Sequence, residues 1–234
     1  MTFDPPLFPG RLLRRYKRFL ADVELEDGEI IVAHSPNTGR MLGVSDPGSR
    51  IWMSYHPDPK RKTHYTWELT QVDDICVGVN TARSNALVQE VLESGVLEFF
   101  RGYSRIEREV RYGSERSRID LLLKGEGLPD CYVEVKNVTA VDEHGTAIFP
   151  DAVTLRGQKH MRELGRMVEA GHRAVVAYTI QRSDATAFRP ADEIDPAYGD
   201  ALREAVAAGV EVLPLQFDAS AQAITFRKPL AFLP

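Results

Sequence analysis

Two strand-like segments that carry acidic side chains, residues 117–123 and 131–138, constrain the fold of this chain most strongly. Both are rich in branched apolar residues, and glycine and proline residues lie between them, which is typical of a β-hairpin. Because strand side chains alternate between faces, Glu134 and Lys136 must point the same way. Pairing with the preceding strand brings Asp120 beside them. The sequence therefore predicts two carboxylates and an ammonium group in one small patch.

Such a patch is suited to phosphodiester chemistry. Two carboxylates can hold Mg²⁺ (or Mn²⁺) while the ion keeps several waters, and a neighbouring lysine can orient or help to deprotonate one of them. The order of Asp120, Glu134 and Lys136 resembles the signature of the PD-(D/E)xK nuclease superfamily. That resemblance implies a nuclease with Asp120 and Glu134 as metal ligands and Lys136 beside the attacking water. The alternative is an ordinary ion pair on a half-exposed strand.

The composition is that of a globular protein. The chain has 234 residues, of which 43% are hydrophobic and 27% charged, enough for one large core or two small ones. No apolar run approaches membrane-spanning length and no signal peptide is recognisable, so we expect a cytoplasmic protein without a membrane partner. Cys76 and Cys131 have no cysteine or histidine at ligand spacing, which predicts neither a zinc site nor a disulfide framework.

The charge is distributed unevenly. The formal net charge is -5, and the segment 184–211 accounts for all of it with seven acidic and two basic residues. Basic clusters occur elsewhere: Arg11, Arg14, Arg15, Lys17 and Arg18, and then Lys60, Arg61 and Lys62. A basic face on a neutral body can bind phosphates, although each cluster can equally be solvated surface charge.

The first 82 residues predict a small β-barrel. The strand patterns run over 11–16, 19–25, 30–34, 50–55, 63–69 and 75–79, with turns between them and no helical pattern. Such an array fits a barrel of the oligonucleotide/oligosaccharide-binding (OB) kind, which often stacks the bases of single strands on aromatic side chains. Trp52, Tyr65 and Trp67 are candidates for such a platform or for the barrel core.

The pattern changes after residue 82, and we predict a second domain over 83–234. Ser84 is expected to cap a helix that ends before Gly95. Strands over 106–112, 117–123 and 131–138, a helix over 154–170 and a strand over 174–180 follow, and Asp195 with Pro196 begins a last helix. Helix, three strands, helix, strand is the core order of the PD-(D/E)xK fold. The fold class is therefore α/β (α+β overall), an OB-like barrel followed by a restriction-endonuclease-like domain.

Other polar residues are candidates for this site. Glu90 lies beside the apolar stripe of the first helix, as a surface residue or as a further metal or water contact. His160 interrupts the apolar stripe of the second helix, either as a core residue or at the border of the site. Arg156 and Lys159 are candidate phosphate contacts or ordinary solvent-facing charges. Asp151 either caps the second helix or joins the metal site.

The chain also resembles the sugar fermentation stimulation protein family of bacteria and archaea over nearly its whole length. The matching residues are Arg18-Phe19, His34 to Gly39, Pro47-Gly48, Lys60 to Thr63, Trp67-Glu68, Asn80-Thr81, Asn85, Glu90, Gly102-Tyr103, Arg118 to Asp120, Glu134 to Thr139, Phe149 to Ala152, Arg156-Gly157 and His160. The resemblance implies an OB-like domain joined to a PD-(D/E)xK-type domain, DNA binding with little sequence preference, and a regulatory role in carbohydrate metabolism.

Two functions therefore compete. One is a DNA-binding protein of low sequence specificity. The other is a metal-dependent nuclease in which Asp120 and Glu134 hold Mg²⁺ or Mn²⁺, Lys136 positions water and Glu90 assists; a metal held for stability alone is a third possibility. DNA is the expected partner, with RNA not excluded. The expected nucleic-acid contacts are Arg15, Arg18, Lys60, Arg61, Lys62, Arg118, Arg156, Lys159 and His160.

Overall fold

Five strands near the N-terminus close into a small barrel. In the computed structural model, which describes residues 1–115 and 117–234, they are β1 (Phe8–Tyr16), β2 (Leu20–Glu24), β3 (Ile30–His34), β4 (Arg50–Tyr55) and β5 (Tyr65–Val72). Their order is β3-β2-β1-β4-β5, and parallel pairing of β3 with β5 closes the ring. Trp67 is fully buried in the barrel core and donates to the Leu69 carbonyl. The predicted barrel is confirmed, and Trp67 belongs to its core.

The rest of the chain contains a mixed sheet that is covered by helices on both faces. The elements of this part are β6 (Ile75–Gly78), α1 (Ser84–Glu93), β7 (Arg105–Tyr112), β8 (Ser117–Lys124), β9 (Cys131–Val138), β10 (Ala140–Val141), β11 (Thr146–Phe149), α2 (Leu155–Glu169), β12 (Arg173–Ile180), β13 (Ala187–Pro190), α3 (Pro196–Ala207), β14 (Glu211–Ala219), β15 (Ile224–Pro229) and β16 (Ala231–Phe232). A separate four-stranded sheet has the order β10-β11-β13-β16. The main sheet has the order β14-β12-β9-β8-β7. No helix among the described residues is long and apolar enough to span a bilayer.

The two faces of this sheet bury separate cores. Leu87, Val88 and Val91 of α1 pack on one face. Met161 of α2 and Leu202 of α3 pack on the other. The predicted order of helix, three strands, helix and strand is therefore present, with β8 and β9 in the middle of the sheet.

The N-terminal segment packs against the second domain, whereas the sequence analysis grouped it with the barrel. Phe3 and Leu7 belong to the core beneath α1, and the Phe3 amide donates to the Gln222 carbonyl at 2.8 Å. β6 pairs with β5 on one side and meets β14 at a single residue pair on the other. Because both segments tie barrel and sheet together, the division at residue 82 remains a prediction.

One helix start differs from the sequence prediction, and for a second helix the structure excludes one of the two roles left open for Asp151. Ser84 does not cap α1: it is the first helical residue, and its hydroxyl donates to Asn137 Oδ1 at 3.1 Å. Thr154 caps α2 by accepting the N–H three residues later, so Asp151 is not the cap. Asp195 caps α3 as predicted, with proline in the first turn.

A buried carboxylate joins the barrel to the start of the second domain. Glu68 of β5 is 1% exposed, and both of its oxygens are fully used. Oε1 accepts from Ser54 Oγ at 2.6 Å and Arg83 Nη2 at 2.7 Å. Oε2 accepts from Asn80 Nδ2 at 2.8 Å and Arg83 Nε at 3.1 Å. Since Arg83 immediately precedes α1, Glu68 fixes where that helix begins.

We expect Glu68→Gln to destabilise the protein by about 2–4 kcal/mol, because Arg83 would keep its charge in a largely enclosed place without a partner. Urea unfolding followed by tryptophan fluorescence measures this. The matched control is Glu24→Gln, which breaks an exposed pair with Arg11 and should cost no more than about 0.5 kcal/mol. Equal losses in the two variants would contradict a special role for Glu68.

Candidate active site

The candidate site lies where β8 and β9 separate. Their antiparallel ladder ends at the pair Leu121 and Val133. One residue further on, Asp120 Oδ2 accepts the Val135 amide at 2.7 Å. A side-chain carboxylate therefore satisfies a backbone donor that a regular ladder would pair with a carbonyl. Because the Asp120 carboxylate replaces a backbone carbonyl as the acceptor, β8 and β9 separate beyond this point.

Helix α1 holds the second oxygen of Asp120. Asn85 Nδ2 donates to Asp120 Oδ1 at 3.0 Å. Burial, and then the nearby Glu134 carboxylate, raise the pKa of Asp120 above its ordinary value, while Val135, Asn85 and Lys136 partly oppose that rise. Ionisation of Asp120 therefore costs the folded chain free energy, and a nearby cation would reduce that cost.

Glu134 is the most enclosed acidic group of the site, with 2% exposure. Its Oε1 accepts from Lys136 Nζ at 2.6 Å and also contacts His160 Nδ1. Burial opposes its ionisation and is the largest influence on the pKa of Glu134, but Lys136 and His160 together outweigh it and lower that pKa. Its Oε2 is buried and has no hydrogen-bond partner among the described residues. An ionised carboxylate thus presents one oxygen without a partner.

His160 borders the site and is not simply a core residue. Arg156 Nε donates to His160 Nε2 at 3.4 Å. A neutral imidazole that accepts from Arg156 would carry its proton on Nδ1, which faces Glu134 Oε1 and lies 3.2 Å from Lys136 Nζ. Arg156, His160, Glu134 and Lys136 therefore form a continuous chain of contacts from the surface of α2 to β9.

The cleft in front of these residues is lined by both parts of the chain and has a volume of about 390 Å³. Asp120 and Lys136 lie on one side, and Asn37 and Gly39 of the barrel on the other. Asp151 fixes this closure by accepting the Met41 amide at 2.9 Å. A Cβ at position 39 would stand 2.5 Å from an Asp151 oxygen. Glycine at 39 is therefore required for the barrel loop to approach so closely.

The structure does not bring Glu90 to the site, contrary to the sequence prediction. The Glu90 carboxylate is exposed and accepts from the Met1 ammonium at 2.8 Å. Glu90 comes five residues after Asn85, which places it on the far side of α1 from Asp120. Glu90 does not line the cleft.

The nine predicted nucleic-acid contacts divide into three groups. Three of them donate to other parts of the protein: Arg15 to the carbonyls of Arg18, Asn37 and Gly39, Arg61 to Thr66 Oγ1, and Lys159 to the Glu115 carbonyl. Four others, Arg18, Lys60, Lys62 and Arg118, are exposed. The last two, Arg156 and His160, belong to the chain of contacts with Glu134, and Arg156 is exposed as well. The first group positions loops, and a role of the exposed residues in binding stays a prediction.

Sequence reasoning missed a polar network behind the site. Thr179 Oγ1 donates to Ser84 Oγ at 2.9 Å, and Gln181 Nε2 donates to Asn137 Oδ1 at 2.6 Å. With the contact between Ser84 and Asn137, these bonds join α1, β9 and β12 beneath the cleft. The one available signal was the presence of polar residues at the ends of two otherwise apolar strands.

Comparison with known proteins assigns both parts of the chain. The N-terminal OB domain of the sugar fermentation stimulation protein matches residues 13–79, and the RE domain of the same protein matches residues 82–223. The chain belongs to the sugar fermentation stimulation protein family. The family assignment agrees with the barrel and α/β domain seen in the fold, so the OB-like barrel followed by a restriction-endonuclease-like domain is established.

Relatives in the family match along most of their length. A homologue from Thioalkalivibrio sulfidiphilus is 55% identical over 213 residues, covering 91% of this chain and 90% of the homologue. One from Geobacter metallireducens is 56% identical, covering 91% of each chain. The Pyrococcus furiosus SfsA structure, a complex with Ca²⁺, superposes with a TM-score of 0.90 at 29% identity, covering 100% of this chain and 98% of that one.

We expect Asp120→Asn to stabilise the chelator-treated protein by about 1 kcal/mol near pH 7, because it removes a buried charge that Glu134 repels. Asp120 keeps its proton to a higher pH in the folded chain than in the unfolded chain. The stability of the wild type therefore falls as the pH rises from the pKa of Asp120 in the unfolded chain to its raised pKa in the folded chain. The advantage of the variant should therefore grow with pH over that interval and vanish below it.

Chemical unfolding at a series of pH values measures this advantage. The control is Asp22→Asn, which breaks an exposed pair with Arg14 and should not stabilise the protein. A variant less stable than the wild type at every pH would contradict the electrostatic account of Asp120.

Proposed function

We propose that the chain is a metal-dependent nuclease that hydrolyses phosphodiester bonds of DNA, with RNA not excluded. The observation that carries this proposal is the buried Glu134 Oε2, which has no hydrogen-bond partner among the described residues, close behind a cleft open to solvent that Asp120 and Lys136 line. A buried acceptor without a partner costs about 1–3 kcal/mol. A cation ligated there would remove that cost.

The donor set fits Mg²⁺ or Mn²⁺. No cluster of three or more histidine, cysteine, aspartate or glutamate side chains that could hold a metal occurs in residues 1–115 and 117–234, so an ion held by Asp120 and Glu134 would take its other ligands from water or substrate. Mg²⁺ usually binds through one or two carboxylates and keeps several waters. The Ca²⁺ in the Pyrococcus furiosus complex is likewise a hard cation that prefers oxygen ligands.

A bound divalent ion would supply charge stabilisation at the phosphate and a more acidic water. The chain itself would supply position and proton control. Lys136, held by Glu134, would orient the attacking water and balance the growing negative charge. His160 would keep Glu134 in place, with its Nδ1 proton directed at the carboxylate, and Arg156 on the exposed end of this chain would contact a phosphate.

The barrel would hold the part of the nucleic-acid strand that lies outside the cleft. OB barrels commonly bind nucleic acid, and the barrel loop with Asn37 and Gly39 lines the same cleft as Asp120. Phosphate contacts through Arg18, Lys60, Lys62 and Arg118 would carry no base information, so we expect binding with little sequence preference. The proposal includes a cytoplasmic location, where the protein would meet DNA.

A second candidate is the DNA-binding protein without cleavage. The ion pair of Lys136 with Glu134 favours it, because that pair needs no metal to neutralise the charge of Glu134. Any regulation of carbohydrate-metabolism genes would then act through binding alone.

The test is cleavage of labelled single- and double-stranded DNA and RNA with Mg²⁺ or Mn²⁺. We expect the wild type to cut, and Asp120→Asn and Lys136→Ala to bind normally but to cut at least about 100-fold more slowly, because each loses a group used at the reacting phosphate. The controls are Asp218→Asn and Lys124→Ala, which change exposed residues away from the cleft. Binding by all proteins without any cleavage would favour the second candidate.

A further inference from the structure

The outer part of the hairpin formed by β7 and β8 carries two arginines directly opposite each other. Arg111 of β7 and Arg118 of β8 are cross-strand partners, and both are exposed. Like charges placed opposite each other destabilise a strand pair. In the described part of the chain neither forms an ion pair, although Arg105 on the same strand pairs with Glu107 at 2.9 Å. The pair therefore costs stability that nothing within the described fold repays.

These arginines border a wide depression in the surface. Arg111, Tyr112, Gly113 and Arg118 line a volume of about 610 Å³ that is open to solvent. The depression is separate from the cleft that contains Lys136. Two guanidinium groups on its rim present a fork of donors suited to a phosphate group.

The register places this pair at a defined distance from the candidate active site. Ser117 and Ile119 are buried, whereas Arg118 is exposed and Asp120 half-exposed, so Arg118 and Asp120 share one face of β8. Two residues along a strand span about 6.7 Å. That is comparable with the spacing of successive phosphates in an extended nucleic-acid strand.

A basic residue also lies on the α1 side of the surface between Asp120 and Arg118. Arg108 of β7 donates to Gln89 Oε1 at 2.6 Å, and Gln89 lies one helical turn from Asn85, which holds Asp120. Glu109 of β7, which is also exposed, lies between the residues paired with Leu121 and Ile119. A nucleic-acid strand that runs from Asp120 towards Arg118 would therefore pass one acidic residue before it reaches the two arginines.

We propose that Arg111 and Arg118 form a phosphate clamp for the phosphodiester next to the one at Asp120 and Glu134. The substrate is then an oligonucleotide strand with at least two successive phosphates, and not an isolated phosphodiester. The position of the phosphodiester at Asp120 and Glu134 rests on the proposed nuclease function. The two arginines would bind the neighbouring phosphate whether or not the nucleic acid is cut.

The first experiment measures binding. A labelled single-stranded 12-mer is titrated by fluorescence anisotropy at several salt concentrations, with Arg111→Gln, Arg118→Gln and the double variant. Each single substitution should lower the slope of log affinity against log salt by about 0.7, and the double variant by about 1.4. The control is Arg105→Gln, which removes the same charge from the same strand and should leave the slope unchanged. All three positions are exposed, and circular dichroism verifies the fold.

The second experiment compares two substrates, a thymidine dinucleotide with one phosphate and a trinucleotide with two. The wild type should prefer the trinucleotide in kcat/KM by about tenfold or more, since each charged hydrogen bond to the extra phosphate adds binding. The double variant should lose that preference, so that its kcat/KM values for the two substrates become about equal.

The outcomes separate the two proposals. Slopes that fall as expected, with no cleavage by any protein, would support the clamp and overturn the nuclease function. Unchanged slopes in an active enzyme would overturn the clamp and leave the nuclease function standing. An equal fall in the Arg105→Gln control would also overturn the clamp, because the effect would then be general surface charge.

Discussion

The hydrogen bond from the Val135 amide to Asp120 is the contact on which the rest of the site depends. It ends the ladder between β8 and β9, because the Val135 N–H donates to the Asp120 carboxylate and not to a backbone carbonyl of β8. The strands diverge from there, and this separation places Asp120 close enough to Glu134 for the two charges to interact. Two neighbouring carboxylates in a buried setting are costly. Their proximity therefore destabilises the folded chain.

The surrounding fold compensates for that cost by fixing each group from a different element. Asn85 of α1 holds Asp120, while His160 of α2 and Lys136 of β9 hold Glu134. The barrel contributes as well, because Asp151 holds the loop that closes the cleft. The OB-like barrel is thus part of the site's wall, and a strand bound to the barrel would already be next to Asp120.

Strand periodicity was sufficient to predict the central pair of carboxylates. Alternation put Glu134 and Lys136 on one face, and hairpin pairing placed Asp120 beside them, since both are local properties of the chain. Glu90 was predicted wrongly because the apolar stripe of a helix does not say which flank faces the sheet edge. Arg15 and Lys159 read as free charges, but they donate to carbonyls more than twenty residues away. The unpartnered Glu134 oxygen and the opposed pair of Arg111 and Arg118 depend on tertiary register, which composition and spacing do not contain.

The account depends most on Glu134 Oε2 acting as a ligand for a divalent cation. Isothermal titration calorimetry of the chelator-treated protein with Mn²⁺ tests this directly, with Glu134→Gln beside the wild type and the exposed Glu93→Gln as control. We predict that the wild type and Glu93→Gln each bind the ion at one site per chain and that Glu134→Gln loses this binding. If Glu134→Gln binds Mn²⁺ as the wild type does, or if the wild type binds none, Asp120 and Glu134 are not a metal centre.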